Sequence, residues 1–519
     1  MFSLLTTVGC LLAAYWVYSV RSALRVVQNV PGYRPLFSPF TLLGAMLPMT
    51  WWNLSSTWSW KLRKTAYFNY SHDVISVVPL IRGPPSYHTC SLDVAQQLLG
   101  SEGQRLLPKP RDPIGALVLW GENIFSSEGE IWKRHRRIMA PAFSTKTYAK
   151  VLEQTKELYR EMVQEEGWEG KVEVVVDSIH RLTMRVAFLV IARCGFGMPI
   201  AWTVDEEEDL DEAGTSHALT FVAQTTILRL VVPNWMYRLP IKKPAFRRMD
   251  RIWKSLSAFM HKSVEARAQE VAAEPELSNI RGDVFTRLIA AHDRDGKYSL
   301  NADEVIGNTF VLMFAGHETT ASVLTTALTY LAIHQGEQAK AYEEIISIIP
   351  HGHDPTLDDL SQLRHTLACF NESLRLVPAA PMLTREMPED IVIRAKRPFE
   401  TTMVLKKGTL VVLDIVAICR NPHIFSEPDK FMPSRWYGIS EHDVTMFGIG
   451  SRACIGRKFT HTEALTFLAL LLRDWQVDVV LGNETREQYE ERVMSKGGII
   501  GFTFGVTEPI KLGLQKRVY

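Results

Sequence analysis

An excess of charge of either sign is missing from this chain, and so is any regular use of cysteine. Its 58 basic and 57 acidic residues leave a net charge of +1, so composition gives no sign of nucleic-acid binding. The six cysteines (Cys10, Cys90, Cys194, Cys369, Cys419 and Cys454) are scattered, with no C-x-x-C pair. That usage fits a reducing compartment without a disulfide framework. No internal repeat is visible and no linker divides the body. With 519 residues, 46% of them hydrophobic, the chain can bury a large core, and it reads as one large domain behind an anchor.

What is present is organised around Phe447-Gly448-Ile449-Gly450-Ser451-Arg452-Ala453-Cys454-Ile455-Gly456-Arg457-Lys458-Phe459. Gly448, Gly450 and Gly456 let the backbone turn sharply and approach a flat partner. The run that follows, with Ala464, Leu465, Phe467, Leu468, Leu470, Leu471 and Leu472, is apolar almost all round and predicts a buried helix. Cys454 thus precedes a helix N-terminus and has Arg452, Arg457 and Lys458 around it, both of which favour thiolate over thiol. One thiolate in a glycine collar suits a single metal bond. A zinc site would need a second Cys or His nearby.

Phe447, Gly450, Arg452, Cys454 and Gly456 fill the pattern F-x-x-G-x-R-x-C-x-G, which resembles that of the cytochrome P-450 haem-thiolate monooxygenases of eukaryotic microsomal type. By this resemblance the cofactor is haem b, with Cys454 as the axial iron ligand and Phe447 and Arg452 in the haem-binding loop. A thiolate pushes electron density onto iron and favours O–O cleavage.

The N-terminus reads as a membrane anchor. Residues 2–20 are uncharged and mostly apolar, and Arg21 and Arg25 follow; this length about suffices for a hydrocarbon core of ~30 Å. A cleaved signal peptide would need a basic n-region and a small-residue cleavage site, and neither is evident. Arg21 and Arg25 would keep the body cytosolic, and the resemblance implies a single-pass protein of the endoplasmic reticulum membrane. Pro31, Gly32, Pro35 and Pro39 form a hinge. Beyond it, Trp51, Trp52, Trp58 and Trp60 read equally as an interfacial segment in contact with membrane lipid or as the start of a buried helix. The expected division is an anchor at 1–20, a hinge and interfacial segment at 21–60, and a catalytic domain at 61–519. Strands are expected at 74–78 and 87–90, either side of an Arg-Gly-Pro-Pro turn, and an acidic run at 205–209 reads as solvated.

Three further constellations carry chemistry. Trp132 and Arg136 lie at i, i+4 on a basic helix, so indole N–H and guanidinium can grip one carboxylate. The resemblance makes this a haem propionate, with Arg385 as a second partner. The remaining cations of that helix, with Arg457 and Lys458, suit docking of an acidic electron donor.

Residues 301–334 contain no proline and open on the capping pair Asn301 and Glu304. In the middle sits Ala315-Gly316-His317-Glu318-Thr319-Thr320. There the Thr319 hydroxyl can compete for the Ala315 carbonyl and open a groove. The resemblance implies an oxygen pocket in which Glu318 and Thr319 relay protons.

Glu372 and Arg375 form an E-x-x-R pair, which alone means little. The later Phe431-Met432-Pro433-Ser434-Arg435-Trp436 resembles the family's P-E-R-F element, with Ser434 for the acidic residue and Trp436 for Phe. The resemblance then implies a buried network of Glu372, Arg375 and Arg435.

The expected fold is mostly α with a small sheet near the N-terminus. The expected reaction inserts one oxygen atom into an apolar substrate. Family layout places the pocket at 117–120, Phe310, Phe314, Ala315, Ala379, Ala380, Met382, Leu383, Ile500 and Phe502. Nothing after Cys454 has the form G-x-G-x-x-G, so electrons are expected from a separate partner; the resemblance implies an NADPH–cytochrome P-450 reductase, with cytochrome b5 as an accessory donor. The general look resembles fungal members that decorate terpenoids. The rival readings are a haem-thiolate isomerase or dehydratase that needs no O2, and a haem sensor or carrier without turnover.

Overall fold

A computed structural model describes residues 2–67, 71–100, 107–110, 118, 120–202, 218, 221–222, 225, 244–274, 282–292, 299–439 and 444–518. The acidic run at 205–209 and the pocket positions Leu117 and Leu119 lie outside the described residues. The chain packs into two compact units whose segments interleave along the sequence. The first holds 1–113, 380–430 and 440–453; the second holds 114–379, 431–439 and 454–519.

Strands among the described residues are β1 (Gly32–Tyr33), β2 (Val74–Val77), β3 (Ser86–Thr89), β4 (Glu173–Val176), β5 (Met382–Glu386), β6 (Ile391–Ala395), β7 (Thr401–Leu405), β8 (Leu410–Asp414), β9 (Trp475–Val479), β10 (Gly497–Ile500), β11 (Thr503–Val506) and β12 (Leu512–Lys516). The expected pair at 74–78 and 87–90 is β2 and β3, antiparallel with Val74 opposite Thr89. Gly83, at φ +119°, supplies the backbone freedom their turn requires. The sheet is larger than an N-terminal one. In the first unit it runs β1-β2-β3-β8-β5, so two of its strands come from beyond residue 380. Val411, Val412 and Leu413 of β8 are buried, and such a fully buried strand shows no alternation to read from the sequence.

The tryptophans of 51–60 divide between core and surface. Trp58 and Trp60 are 1% and 2% exposed, whereas Trp51 is 94% exposed. Trp58 packs with Leu54, Tyr67, Ile75 and Val77. Burial of a large apolar side chain stabilises by roughly 1.5–3 kcal/mol, so of the two readings the core one holds for Trp58 and Trp60. Asp414 holds this turn: Ser59 Oγ donates to Oδ1 at 2.6 Å and Tyr67 Oη to Oδ2 at 3.1 Å. Burial pushes the Asp414 carboxyl up to about 6, against those hydrogen bonds.

The N-terminal helix Phe2–Val26 exposes Leu11, Leu12, Tyr15, Trp16 and Tyr18, while Trp16 Nε1 donates to Leu80 O at 2.6 Å. Among the described residues no helix is long and apolar enough to cross a membrane.

The second unit is helical, with a three-stranded sheet β4-β12-β9 and the β10–β11 hairpin. Its axis is the central helix Ala302–Ile333, opened by the expected capping box of Asn301 and Glu304. This helix is buried on almost every side, which is why its sequence shows no polar face. It packs against the helix Ile179–Gly195. A Cβ on Gly316 would meet Ile191 Cγ1 at 2.8 Å, so close helix approach explains a glycine that costs ~1 kcal/mol in helix propensity.

Candidate active site

The cysteine loop is built as its glycines require. Gly448 and Gly450 adopt φ +76° and +69°, in the left-handed region that favours glycine. A side chain on Gly450 would run into the Leu99 carbonyl. Gly456 then starts the cysteine helix, Arg457–Asp474. Phe447 and Arg452 belong to the first unit and Cys454 to the second.

Burial pushes the Cys454 thiol up, and this outweighs the opposing pull of the Gly456 and Arg457 N–H groups and of the Arg136 and Arg457 guanidinium charges. The cations and helix start expected to favour thiolate are therefore in place, but alone they do not produce it. A bound metal ion would, because a coordinating thiol is deprotonated outright. The residues fit a thiolate-bound metal: Cys454 is exposed as a residue, the Gly456 and Arg457 N–H groups address its sulfur, and the Arg136 and Arg457 guanidinium groups would balance its charge.

In the basic helix, Gly129–Met139, Trp132 is buried and Arg136 half-buried. Arg134 and His135, counted among cations for docking, turn inward instead. Arg134 pairs with Glu304 of the central helix, and His135 Nε2 lies 3.3 Å from the same carboxylate. Asn308 Nδ2 is 3.3 Å from His135 Nδ1. Burial holds the imidazole below its usual range despite Glu304. Lys133, Arg137 and Lys458 remain exposed.

Glu372, Arg375 and Arg435 meet as expected. Arg375 donates to both Glu372 oxygens at 2.8 Å, and Arg435 Nε to Oε1 at 2.9 Å. Two further donors were not visible in sequence: Met432 N at 2.9 Å and the Trp436 indole at 2.9 Å. Trp436, unusual at a Phe position, thus adds a hydrogen bond. Burial raises the Glu372 carboxyl, but these donors and charges hold it below the ordinary carboxylate range. Glu372 and Arg375 side chains are wholly buried. Removing one partner of such a pair typically costs ~3–5 kcal/mol.

The central helix opens at one stripe. Leu312 and Thr319 are half-buried and Ala315 is exposed, while Met313, Phe314, His317, Glu318 and Thr320 are buried. Thr319 Oγ1 donates to Ala315 O at 2.9 Å, as the spacing predicted. His317 Nδ1 lies 2.8 Å from Met313 O, and burial lowers its imidazole to about 4. It is neutral and packed edge-on to Phe188. Glu318 accepts from Thr503 Oγ1 at 2.9 Å and from Phe502 N at 3.4 Å. Burial raises it to about 7 against those bonds.

Aromatic rings adjoin this stripe. Phe310 and Phe314 stack at 5.8 Å, Phe314 meets Phe502 edge-on at 5.1 Å, and Trp120 packs on Phe310 at 4.3 Å. Trp253, not anticipated, stacks on Trp120 at 4.9 Å. Ile500 lies on β10, and Ala379 O accepts from Phe504 N at 2.9 Å. Ala380, Met382, Leu383 and Arg385 lie in the first unit. There Arg385 is buried and donates to Thr384 O at 2.7 Å.

The family model described as Cytochrome P450 matches residues 48–500. Cytochrome P450 monooxygenase 124 of Postia placenta is 28% identical over 495 residues, 92% of this chain and 93% of that protein. Cyclooctat-9-en-7-ol 5-monooxygenase of Streptomyces melanosporofaciens is 29% identical over 408 residues, covering 76% and 81%. The crystal structure of the cytochrome P450DA heme domain superposes with TM-score 0.72 at 21% identity, covering 94% of this chain and 98% of that one. The thiolate loop, the buried Glu372 network and a family match over most of the chain lead to one assignment: the chain belongs to the cytochrome P450 family, as a monooxygenase whose cofactor is haem b with cysteine-thiolate ligation.

Proposed function

We propose that the chain inserts one oxygen atom from O2 into a C–H or C=C bond of an apolar small molecule, in fungal secondary metabolism such as terpenoid biosynthesis. P450 monooxygenases draw electrons from a redox partner, generally a reductase, and bind small-molecule substrates. Here the donor would be NADPH–cytochrome P-450 reductase, with cytochrome b5 as accessory, received on the face of Lys133, Arg137 and Lys458. In this reading Cys454 would supply the thiolate that holds the iron, Trp132, Arg136 and Arg385 would hold propionates, and Phe447 and Arg452 would belong to the haem loop. Haem iron, when bound, supplies the oxygen chemistry; the chain supplies position, dryness and protons. Glu318 and Thr319 would hold and move those protons.

The observation that carries the proposal is the half-open stripe of Leu312, Ala315 and Thr319 on an otherwise buried helix, next to aromatic rings that offer no charge. Such a wall selects by shape and apolar area. The Streptomyces relative named for a ring alcohol fits that substrate class. Product formed from apolar candidates should require NADPH, reductase and O2 together, and should carry label from isotopic dioxygen. Product formed without O2 would favour the isomerase reading.

The same proposal places the chain in the endoplasmic reticulum membrane by a single N-terminal pass, with the body cytosolic. A second lipid contact would come from Leu42, Leu43, Met46, Trp51 and Ile81, all exposed, since amphipathic surfaces of this kind bind at the lipid interface. Deleting residues 2–20 should leave protein that still partly sediments with membranes and is released by detergent. Complete solubility in low salt would remove the second contact.

A further inference from the structure

We infer that Thr503 is a positioning residue for proton delivery, fixing the Glu318 carboxyl from the β10–β11 hairpin. The inference rests on the proposed role of Glu318 as proton carrier, and the test below separates the two.

Neighbouring side chains on a helix point about 100° apart, so Glu318 and Thr319 cannot face the same way. Thr319 lies on the half-open stripe, whereas Glu318 is 2% exposed and turned to the hairpin. One oxygen, Oε2, takes both donors, Thr503 Oγ1 at 2.9 Å and Phe502 N at 3.4 Å. The other, Oε1, is buried with no hydrogen-bond partner among the described residues. An unsatisfied buried carboxyl oxygen is costly and persists where it serves function or meets water. The split therefore leaves one oxygen held and the other available to give up or take a proton. Only O–H bonds change in that step: the carboxyl releases a proton toward the Thr319 side and regains one from solvent.

Thr503 can serve as the fixed point because the hairpin is itself clamped. Gly501, at φ +63°, closes the turn between β10 and β11, with Ile500 opposite Thr503. Ser322 Oγ, one helical turn beyond Glu318, donates to Phe504 O at 3.0 Å. A Cβ on Gly505 would come within 2.5 Å of that hydroxyl, so the strand sits directly on the helix. The longer Phe502 N–H contact is the weaker of the two donors.

Charge does not set the geometry. No ionised side chain from the helices Ile179–Gly195, Arg364–Leu376 or Arg457–Asp474, or from the hairpin, contributes to the Glu318 equilibrium. Burial raises it, while Thr503 and the Phe502 and Thr503 backbone lower it. The histidines of this region, His317 and His180, are both held low by burial and so are neutral at pH 7. A donor to a carboxylate favours its charged form. Loss of the Thr503 hydroxyl must then move the Glu318 midpoint upward from about 7.

The test compares Thr503→Val, Thr503→Ser and Glu318→Gln in the full-length haem-loaded protein. The carboxyl C=O band is followed by infrared difference spectroscopy against pH, with the Glu318 band identified by its loss in Glu318→Gln. Thr503→Val should shift its midpoint upward, and Thr503→Ser should return it to the wild-type position. At pH 7 the share of NADPH electrons appearing as hydrogen peroxide should rise in Thr503→Val toward that of Glu318→Gln, and fall back in Thr503→Ser. An unmoved midpoint in Thr503→Val overturns the inference, and so does a moved midpoint with wild-type peroxide. If Glu318→Gln leaves product and peroxide unchanged, the carrier role of Glu318 fails independently of Thr503.

Discussion

Cys454→Ser should abolish the red-shifted carbon monoxide spectrum of the ferrous protein. Thiolate ligation of a bound haem would produce that shift, and a serine hydroxyl at the same place would not. The expected effect is complete, because this loop offers no second soft donor and the other cysteines among the described residues are elsewhere. Cys90, Cys194, Cys369 and Cys419 are buried and Cys10 lies on the N-terminal helix. Burial drives Cys90 and Cys194 thiols up, to about 12 for Cys194. The Cys454 thiol is also pushed up by burial, but Cys454 is an exposed residue at the head of a helix, where the Gly456 and Arg457 N–H groups and the Arg136 and Arg457 guanidinium charges pull against that shift. The substitution removes no glycine and no hydrogen bond of the Glu372 network, so the variant should fold. Retention of the shifted spectrum would assign the ligand elsewhere.

Local geometry was legible in the sequence wherever the chemistry sits within one turn. The capping box of Asn301 and Glu304, the Thr319 bond to Ala315 O and the Glu372–Arg375 pair each need residues three or four apart. Helical periodicity dictates such contacts. Arg435 reached the same network only through a resemblance of motifs, since it lies far along the chain from Glu372.

What was hidden depends on long-range packing. Nothing near Thr503 in sequence points to Glu318, 185 positions away. Arg134 looked like one more exposed cation in a basic run, yet Glu304, itself an ordinary capping residue, draws it inward. Strand β8 joins the sheet through pairing with β3 and β5, and a uniformly apolar strand cannot announce its neighbours. The tryptophans, which read equally as interface or core, divide between the two. Composition alone cannot separate Trp51 from Trp58, because both are equally apolar and only the Asp414 anchor and the core around it decide which one is covered.

Thr319→Ala should separate oxygen insertion from electron consumption. The oxygen chemistry that a bound haem would supply consumes protons, and Thr319 is the hydroxyl on the half-open stripe that would hand them on. Its O–H is bonded to the Ala315 carbonyl at 2.9 Å, which leaves the oxygen lone pairs to hold a water or accept a proton. Positioned acid assistance of this sort is typically worth ~10²–10⁴ in rate. Alanine suits the helix better than threonine by a few tenths of a kcal/mol, so stability should not fall, and Cys454 is untouched. The variant should therefore keep the wild-type carbon monoxide spectrum and continue to consume NADPH. Product should fall steeply, with the missing electrons recovered as hydrogen peroxide. An isomerase would lose little, having no such proton to deliver, and a sensor would have no coupled turnover to lose. Wild-type product yield together with wild-type peroxide release would show that Thr319 carries no proton.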